Sequence, residues 1–230
     1  MKPLQIMNME LELMLASLPI MYNSPAPPNV KSKFKIILKS QPKVIARLRK
    51  EIEYFSKAIE VTREKHKSEK DFDKAYPKMF AIFNAFIFFR LSFLDIMVLN
   101  ISYFKTKDEL EKQVFAKLLA LSFYEFFQDV PRIFGKQFLQ SFERYKTPSS
   151  ESELRYFQRL LNKMKELSID ELKLIRNETA GHKEQNSLRQ IETLSKINFH
   201  HIEVLCLCSA SLHMRMVAIE NEIFKRKGIQ

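Results

Sequence analysis

The sequence contains few glycines. Only three of its 230 residues are glycine, Gly135, Gly181 and Gly228, whereas average usage of about 7% would give roughly sixteen. Phosphate-binding loops and dinucleotide-binding fingerprints need two or three clustered glycines. Many-stranded β folds use glycine in hairpin turns and bulges. The scattered glycines therefore exclude these nucleotide-binding classes and argue against an all-β fold.

Cysteine is almost as scarce. Cys206 and Cys208 are two residues apart in an apolar, helical pattern, so their side chains point in different directions and no disulfide between them is expected. We expect two buried thiols in a reducing compartment. The same segment holds His200, His201 and His213, but zinc sites usually combine tighter ligand pairs with a second cluster elsewhere. Core packing is therefore favoured over a metal site, and no metal or other cofactor is expected.

The chain lacks an uncharged run long enough to cross a bilayer. Residues 79–103 are strongly apolar, but Arg90 and Asp95 interrupt them, and a spanning helix needs about 18 or more apolar residues. The first 18 residues include two glutamates, where a signal peptide needs an uncharged core. We expect a soluble, cytoplasmic bundle in which 79–103 is a central helix and Arg90 and Asp95 form a buried ion pair, although they could instead reach into a site. A membrane-associated helical protein is the alternative.

Positive charge is in excess. The chain has 38 Lys and Arg against 27 Asp and Glu, a formal net charge of +11. Such a surplus favours an acidic partner, most commonly nucleic acid, but a lysine-rich soluble surface gives the same total. The chain is poor in glycine and 46% hydrophobic. This composition is typical of an all-α protein.

Hydrophobic periodicity predicts helices along nearly the whole chain. We expect helices over residues 1–18, 43–67, 107–128 and 131–145, and a linker over 19–28, where four prolines oppose a helix. The short segment 33–39 is open between strand and helix. In the helix over 107–128, the residues expected to face the core are Leu110, Val114, Leu118, Leu121 and Phe126.

These predictions give an all-α helical bundle over residues 68–230. Residues 1–67 are expected to form a packed extension of helices with a proline-rich linker. The turn at 147–150, whose serines together with Glu153 resemble an N-terminal cap, is expected to open a helix that ends near Leu167.

Two capping patterns flank the most informative stretch. Ser168 and Glu171 form an S-x-x-E capping box that predicts a helix start, and Ser187 with Gln190 forms a second box. Between them, Gly181 stands where a left-handed residue can end a helix. Six residues along an unbroken helix separate side chains by roughly 9 Å, so Arg176 and His182 could meet only if the helix breaks at this glycine.

The segment from Arg176 to His182 reads R-N-x-x-x-x-H and resembles the motif of the HEPN superfamily of helical nucleic-acid-binding and ribonuclease domains. Arg176 matches the motif arginine, Asn177 the polar residue and His182 the histidine. The resemblance covers about residues 115–224. It implies a HEPN-like helical bundle in the C-terminal half, with the motif at a helix end.

The resemblance implies a metal-independent endoribonuclease that leaves 2′,3′-cyclic phosphate and 5′-OH ends. Family members commonly act as dimers whose two motifs face each other, and many belong to toxin–antitoxin or phage-defence systems. RNA, a second copy of the chain and an antitoxin or defence-system protein are thus the implied partners. Arg176, Asn177 and His182 would be the catalytic residues, and Lys183 and Arg189 would contact backbone phosphates.

A catalytically inactive HEPN-like binding or scaffold protein is the alternative. Glu178 lies beside the motif and would repel phosphate, and some domains of this superfamily keep the fold without catalysis. In that case Arg176 would pair with a neighbouring acid and His182 would cap a helix end.

Overall fold

The computed structural model describes residues 15–23, 28–65, 77–179 and 192–225. The described residues contain no strand and are helical apart from short turns, which confirms the all-α prediction. Besides a single helical turn at 192–195, the helices are α1 (residues 15–23), α2 (Pro28–Lys65), α3 (Pro77–Lys105), α4 (Glu109–Ile133), α5 (Lys136–Phe142), α6 (Pro148–Thr179) and α7 (Phe199–Lys225).

The strongly apolar helix α3 is central. It packs against α2, α4, α5 and α7, while α6 packs against α4 and α7. Phenylalanine dominates the core, because rings from four helices are almost fully buried. These rings are Phe86, Phe89, Phe123, Phe127, Phe138, Phe142 and Phe157. Leu18 of α1 and Leu48 of α2 belong to the same core cluster, so the first helices pack onto the bundle. The boundary at residue 67 stays a prediction.

Two of the prolines expected to interrupt helices lie inside them. The predicted linker is wrong over 19–23, because α1 continues through Pro19 to residue 23. Likewise α2 includes both the ambiguous segment 33–39 and Pro42, although the predicted helix begins only at residue 43. A proline inside a helix costs about 3 kcal/mol. In α1 the burial of Leu18 and Tyr22 on either side of Pro19 offsets that cost, since each large apolar side chain contributes about 1.5–3 kcal/mol.

The junction of α4 and α5 differs from the predicted helix over 131–145. Helix α4 continues through Pro131 to Ile133, and α5 ends at Phe142. Gly135 separates them at a point of close backbone approach. A Cβ atom at this position would lie 2.9 Å from the carbonyl oxygen of Pro131, so glycine lets the chain turn sharply here.

The predicted inward face of α4 is wrong at three positions. Leu110, Val114 and Leu118 are 67%, 42% and 37% exposed, whereas Phe126 is buried as expected. The core side of α4 is formed instead by Ala116, Leu119, Ala120, Phe123, Phe126, Phe127 and Val130. Because α4 is apolar on two sides, its periodicity fits both faces, and packing against α3 and α6 decides between them.

Helix α6 begins at a different cap from the one expected. The hydroxyl of Thr147 accepts a hydrogen bond from the backbone N–H of Ser150 (3.0 Å), and the Ser150 hydroxyl accepts one from the N–H of Thr147 (2.8 Å). These reciprocal bonds satisfy two backbone donors at the helix start. Glu153 takes no part in them, because its carboxylate binds Arg215.

The predicted helix start at Ser168 is also wrong. Helix α6 runs unbroken from Pro148 to Thr179. Ser168 is buried in its interior, where the hydroxyl donates a hydrogen bond to the carbonyl of Met164 (2.7 Å). Glu171, the other half of the predicted capping box, binds side chains of α1 and α7 instead.

Candidate functional site

Arg176 and Asn177 lie in the last turn of α6. Arg176 is exposed, and its guanidinium carbon lies 5.8 Å from the centre of the Tyr124 ring of α4. One guanidinium N–H donates a hydrogen bond to Oδ1 of Asn177 (3.3 Å). A cation near the C-terminal end of a helix is favoured by the helix dipole. The guanidinium is thus held against α4 while remaining accessible to an anion.

The other half of the motif lies outside the described residues. His182, Lys183 and Arg189 fall in this part of the chain, as do Gly181 and the capping box at Ser187. The described part of α6 ends at Thr179, two residues before this glycine. The convergence of Arg176 and His182 therefore stays a prediction.

A cluster of polar side chains joins three helices one to two turns before Arg176. The Tyr22 hydroxyl of α1 donates to the Glu171 carboxylate of α6 (2.9 Å), and Nδ1 of His201 in α7 lies 2.6 Å from the same oxygen. The Tyr22 and His201 rings stack with centroids 3.9 Å apart. Nε2 of the neighbouring His200 donates to the carbonyl of Met21 (2.6 Å). This cluster fixes α1 against the end of the bundle that carries Arg176.

The cluster shifts the protonation of two groups. Burial favours the neutral form of Glu171, but the hydrogen bond and charge of His201, with the Tyr22 hydrogen bond, outweigh it and lower the pKa of the carboxyl. Burial and the neighbouring Glu171 carboxylate raise the pKa of Tyr22. Glu171 is therefore held as an anion and Tyr22 as a neutral donor. No sequence pattern indicates this cluster, because Tyr22 and Glu171 are 149 residues apart.

A cleft of about 220 Å³ opens between the end of α6 and the turn at 192–195. Its lining residues are Glu171, Leu174, Ile175, Glu178, Glu192, Thr193, Lys196 and Ile197. Three carboxylates and one lysine make the cleft acidic, which disfavours phosphate. Arg176 does not line it: at 100° per residue, Arg176 points away from the side of α6 that carries Glu171, Ile175 and Glu178. Arg176 and the acidic cleft therefore lie on different sides of the helix.

The described residues hold no group of three or more His, Cys, Asp or Glu side chains that could bind a metal ion. Cys206 and Cys208 are buried free thiols. Burial raises the pKa of Cys208 to about 12, and that of Cys206 is raised as well, chiefly by burial. Both are protonated near neutral pH, so neither is a reactive thiolate.

Arg90 forms a buried ion pair, but not with Asp95. Its guanidinium binds Glu51 of α2 (3.0 Å) and Glu220 of α7, and it lies 4.8 Å from the centre of the Phe55 ring. Asp95 is exposed. The expected Arg90–Asp95 pair is therefore wrong, because five residues along a helix turn the two side chains well apart. Arg90 joins α3 to α2 and α7 and lies in the core of the bundle.

Two helices of the described chain are long and apolar enough to cross a membrane, at Phe80–Lys105 and Phe199–Ile223. Core helices of soluble proteins pass the same test, and 44% and 56% of their apolar windows are buried inside the bundle. Each also carries a buried arginine, Arg90 and Arg215, that is paired with a glutamate of another helix. Pairing of this kind is required of any buried charge.

Comparison of the chain with protein-family models, with curated protein sequences and with solved structures gives no significant match.

Proposed function

We propose that this protein is a metal-independent endoribonuclease of the HEPN type. The observation that carries the proposal is the placement of Arg176, an exposed guanidinium in the last turn of a long helix, with Asn177 bonded to it. His182 follows six residues later, at the spacing of the motif. The all-helical fold and the net charge of +11 are compatible with the proposal.

The roles follow from the chemistry of the side chains. Arg176 is always charged, and its planar fork binds phosphate oxygens and the negative charge that develops in the transition state. An imidazole with a reference pKa of about 6.5 can transfer protons near neutral pH. His182 would remove the proton of the ribose 2′-OH or protonate the leaving 5′-oxygen, and Asn177 would position the substrate. Attack of the 2′-oxygen on phosphorus with departure of the 5′-oxygen leaves a 2′,3′-cyclic phosphate and a 5′-OH.

The proposal includes contacts with RNA phosphates, a second copy of the chain and a protein partner. Lys183 and Arg189 would contact backbone phosphates, because both flank His182 in sequence. A homodimer with facing motifs would supply two histidines for the two proton transfers. A cytoplasmic toxin–antitoxin or phage-defence setting, with a cognate protein partner, fits an RNA-cleaving domain of this type.

The experiment is an RNA-cleavage assay with purified protein in excess EDTA. We expect the wild type to cleave, and Arg176→Ala and His182→Ala each to abolish cleavage. Arg155→Ala is the matched control, because Arg155 is also an exposed arginine of α6, 70% exposed at its side chain, and its loss should leave the rate unchanged. Full activity in either motif variant would overturn the proposed roles.

A non-catalytic HEPN-like binding or scaffold protein is the second candidate. The acidic cleft beside the end of α6 favours it, because Glu178 and two other carboxylates line that cleft and would repel RNA there. This candidate predicts no cleavage by the wild type with or without EDTA. It also predicts that any RNA binding survives His182→Ala.

A further inference from the structure

We propose that the solvent-facing side of α2 binds single-stranded RNA, at a site separate from the motif at the end of α6. The surface consists of Lys43, Arg47, Lys50, Tyr54 and Lys57, here called the α2 stripe. All five side chains are exposed. Their spacing of four, three, four and three residues places them within about 80° of one another around the helix. They therefore form one continuous row along α2.

The α2 stripe is not the side that α2 uses for the core. Leu48 and Phe55, on the opposite side, are 1% and 3% exposed. Glu51 turns towards α3, where one carboxylate oxygen binds Arg90 (3.0 Å). The other oxygen accepts a hydrogen bond from Arg47 of the stripe (2.6 Å), yet 67% of the Arg47 side chain stays exposed. The bundle thus fixes the helix and leaves the stripe open to solvent.

The aromatic residue distinguishes the α2 stripe from an ordinary solvated face. Among the aromatic side chains that the structure describes, only Tyr54 is exposed, at 60%. Its ring lies edge-on against the buried Phe55, with centroids 5.7 Å apart. Tyr54 stands between Lys50 and Lys57, the widest gap between cations of the stripe, about 10 Å along the helix. Single-strand-binding surfaces use this arrangement, because bases stack on rings while cations follow the phosphates.

The charge of this side of α2 suits a phosphate backbone. Between residues 43 and 57 the exposed side chains include five cations and one carboxylate, Glu53. Glu60 and Glu64 are exposed beyond the stripe, so the positive region ends there. The stripe is about 21 Å long at 1.5 Å per residue. A stacked strand carries one phosphate per about 3.4 Å, so the stripe matches about six nucleotides.

Other anionic partners fit the α2 stripe less well. A duplex keeps its bases paired and is recognised mainly through its shape and backbone, so Tyr54 would find no free base to stack on. A helix that lies on a membrane buries an apolar face in it, whereas the apolar face of α2 is in the core. The choice of RNA over DNA rests on the proposed function, but the stripe itself does not.

The first test measures the dissociation constant of the full chain for a fluorescent single-stranded RNA of about twelve nucleotides, twice the length of the stripe. The RNA is 2′-O-methylated, so it has no free 2′-OH and is not cleaved during the measurement. Tyr54→Ala should weaken binding by about 5- to 150-fold, the loss of one stacked base. Tyr54→Phe keeps the ring and should bind like the wild type.

The second test measures the salt dependence of the same binding. Each phosphate contact to a single strand contributes about 0.7 to the slope of log affinity against log salt. Replacing both Lys50 and Lys57 by Gln should therefore reduce the slope by about 1.4. The matched control replaces Lys105 and Lys136, which are exposed at the end of α3 and the start of α5, and should leave the slope unchanged. Circular dichroism checks that each variant keeps the fold.

The third test compares the single strand with a duplex of the same sequence. The duplex should bind about tenfold or more weakly, and Tyr54→Ala should not weaken it further, because no base stacks on the ring. Equal affinity for strand and duplex overturns the proposal. So does a wild type that does not bind the strand, a Tyr54→Ala variant that binds it as tightly, or equal slope changes in the two lysine pairs.

A chain that floats with anionic vesicles and does not bind the strand overturns the proposal in favour of a membrane surface. Cleavage of unmodified RNA is measured separately. A chain that binds through the stripe but leaves RNA intact contradicts the proposed function alone. A chain that cleaves RNA but binds it equally well with the stripe altered contradicts this inference alone.

Discussion

Replacing Arg90 by methionine tests the ion pair at the centre of the bundle. The side chains of Arg90 and Glu220 are 3% and 9% exposed, so removing the guanidinium leaves a buried carboxylate without its counter-charge. Breaking such a pair from one side costs about 3–5 kcal/mol. In a chain of this size 1 kcal/mol shifts the melting temperature by about 2–4 °C, so we expect a fall of about 6–20 °C.

The loss of stability in Arg90→Met should also depend on pH. Burial raises the pKa of Glu220 above its ordinary value of 4.5, although Arg90 opposes the shift. Without Arg90 that pKa rises further. A folded-state pKa above the unfolded value gives a stability contribution that is complete below the unfolded pKa and lost as pH rises through the folded pKa. The deficit of Arg90→Met should therefore be largest near neutral pH and shrink on acidification towards the ordinary carboxyl pKa.

Urea denaturation at neutral and mildly acidic pH measures this effect. Arg132→Met is the matched control, because Arg132 is 76% exposed and pairs with Asp129 on the surface of α4. Such a pair contributes about 0–1 kcal/mol. Adding Glu220→Gln to Arg90→Met should recover part of the loss at neutral pH. A loss below about 1 kcal/mol, or one that is equal at both pH values, would refute the reasoning.

Four further substitutions test local features. Thr147→Ala should lower the free energy of unfolding, measured by urea denaturation, by about 0.5–2 kcal/mol because it removes a helix cap. Ser168→Ala should lower it by less, since the Ser168 hydroxyl bonds only within its own helix. The reverse order would contradict the observed caps. Gly135→Ala should lower the melting temperature, because its Cβ would lie 2.9 Å from a backbone oxygen, and an unchanged temperature would contradict that contact. The lowered pKa of Glu171 contributes stability above the ordinary carboxyl pKa that is lost as pH falls through the folded value. NMR titration should show this pKa rising in His201→Ala, and no rise would contradict the role of His201.

The helical class could be predicted from the sequence, because glycine scarcity and apolar spacing are local properties that survive any packing arrangement. Helix ends were less predictable. Ser168 and Glu171 match a capping box equally well at a helix start and in a helix interior, and only packing against α1 and α7 shows which applies. From the sequence alone, Pro19 predicts the end of a helix. The helix continues because Leu18 and Tyr22 on either side of it are buried.

Side-chain partners distant in sequence were not predictable at all. Arg90 was assigned to Asp95 because both lie on one apolar helix, yet its partners, Glu51 and Glu220, are 39 and 130 residues away. Of the candidate site, the structure places Arg176 and Asn177 together in an exposed helix end. Their relation to His182 rests on the motif spacing alone.

The chemistry of the product ends tests the central claim most directly. A defined RNA is incubated with the purified protein in EDTA, and the fragments are analysed by mass spectrometry. We predict 2′,3′-cyclic phosphate and 5′-OH ends that disappear in both Arg176→Ala and His182→Ala. Fragments with 5′-phosphate ends, or intact RNA with the wild type, would contradict it.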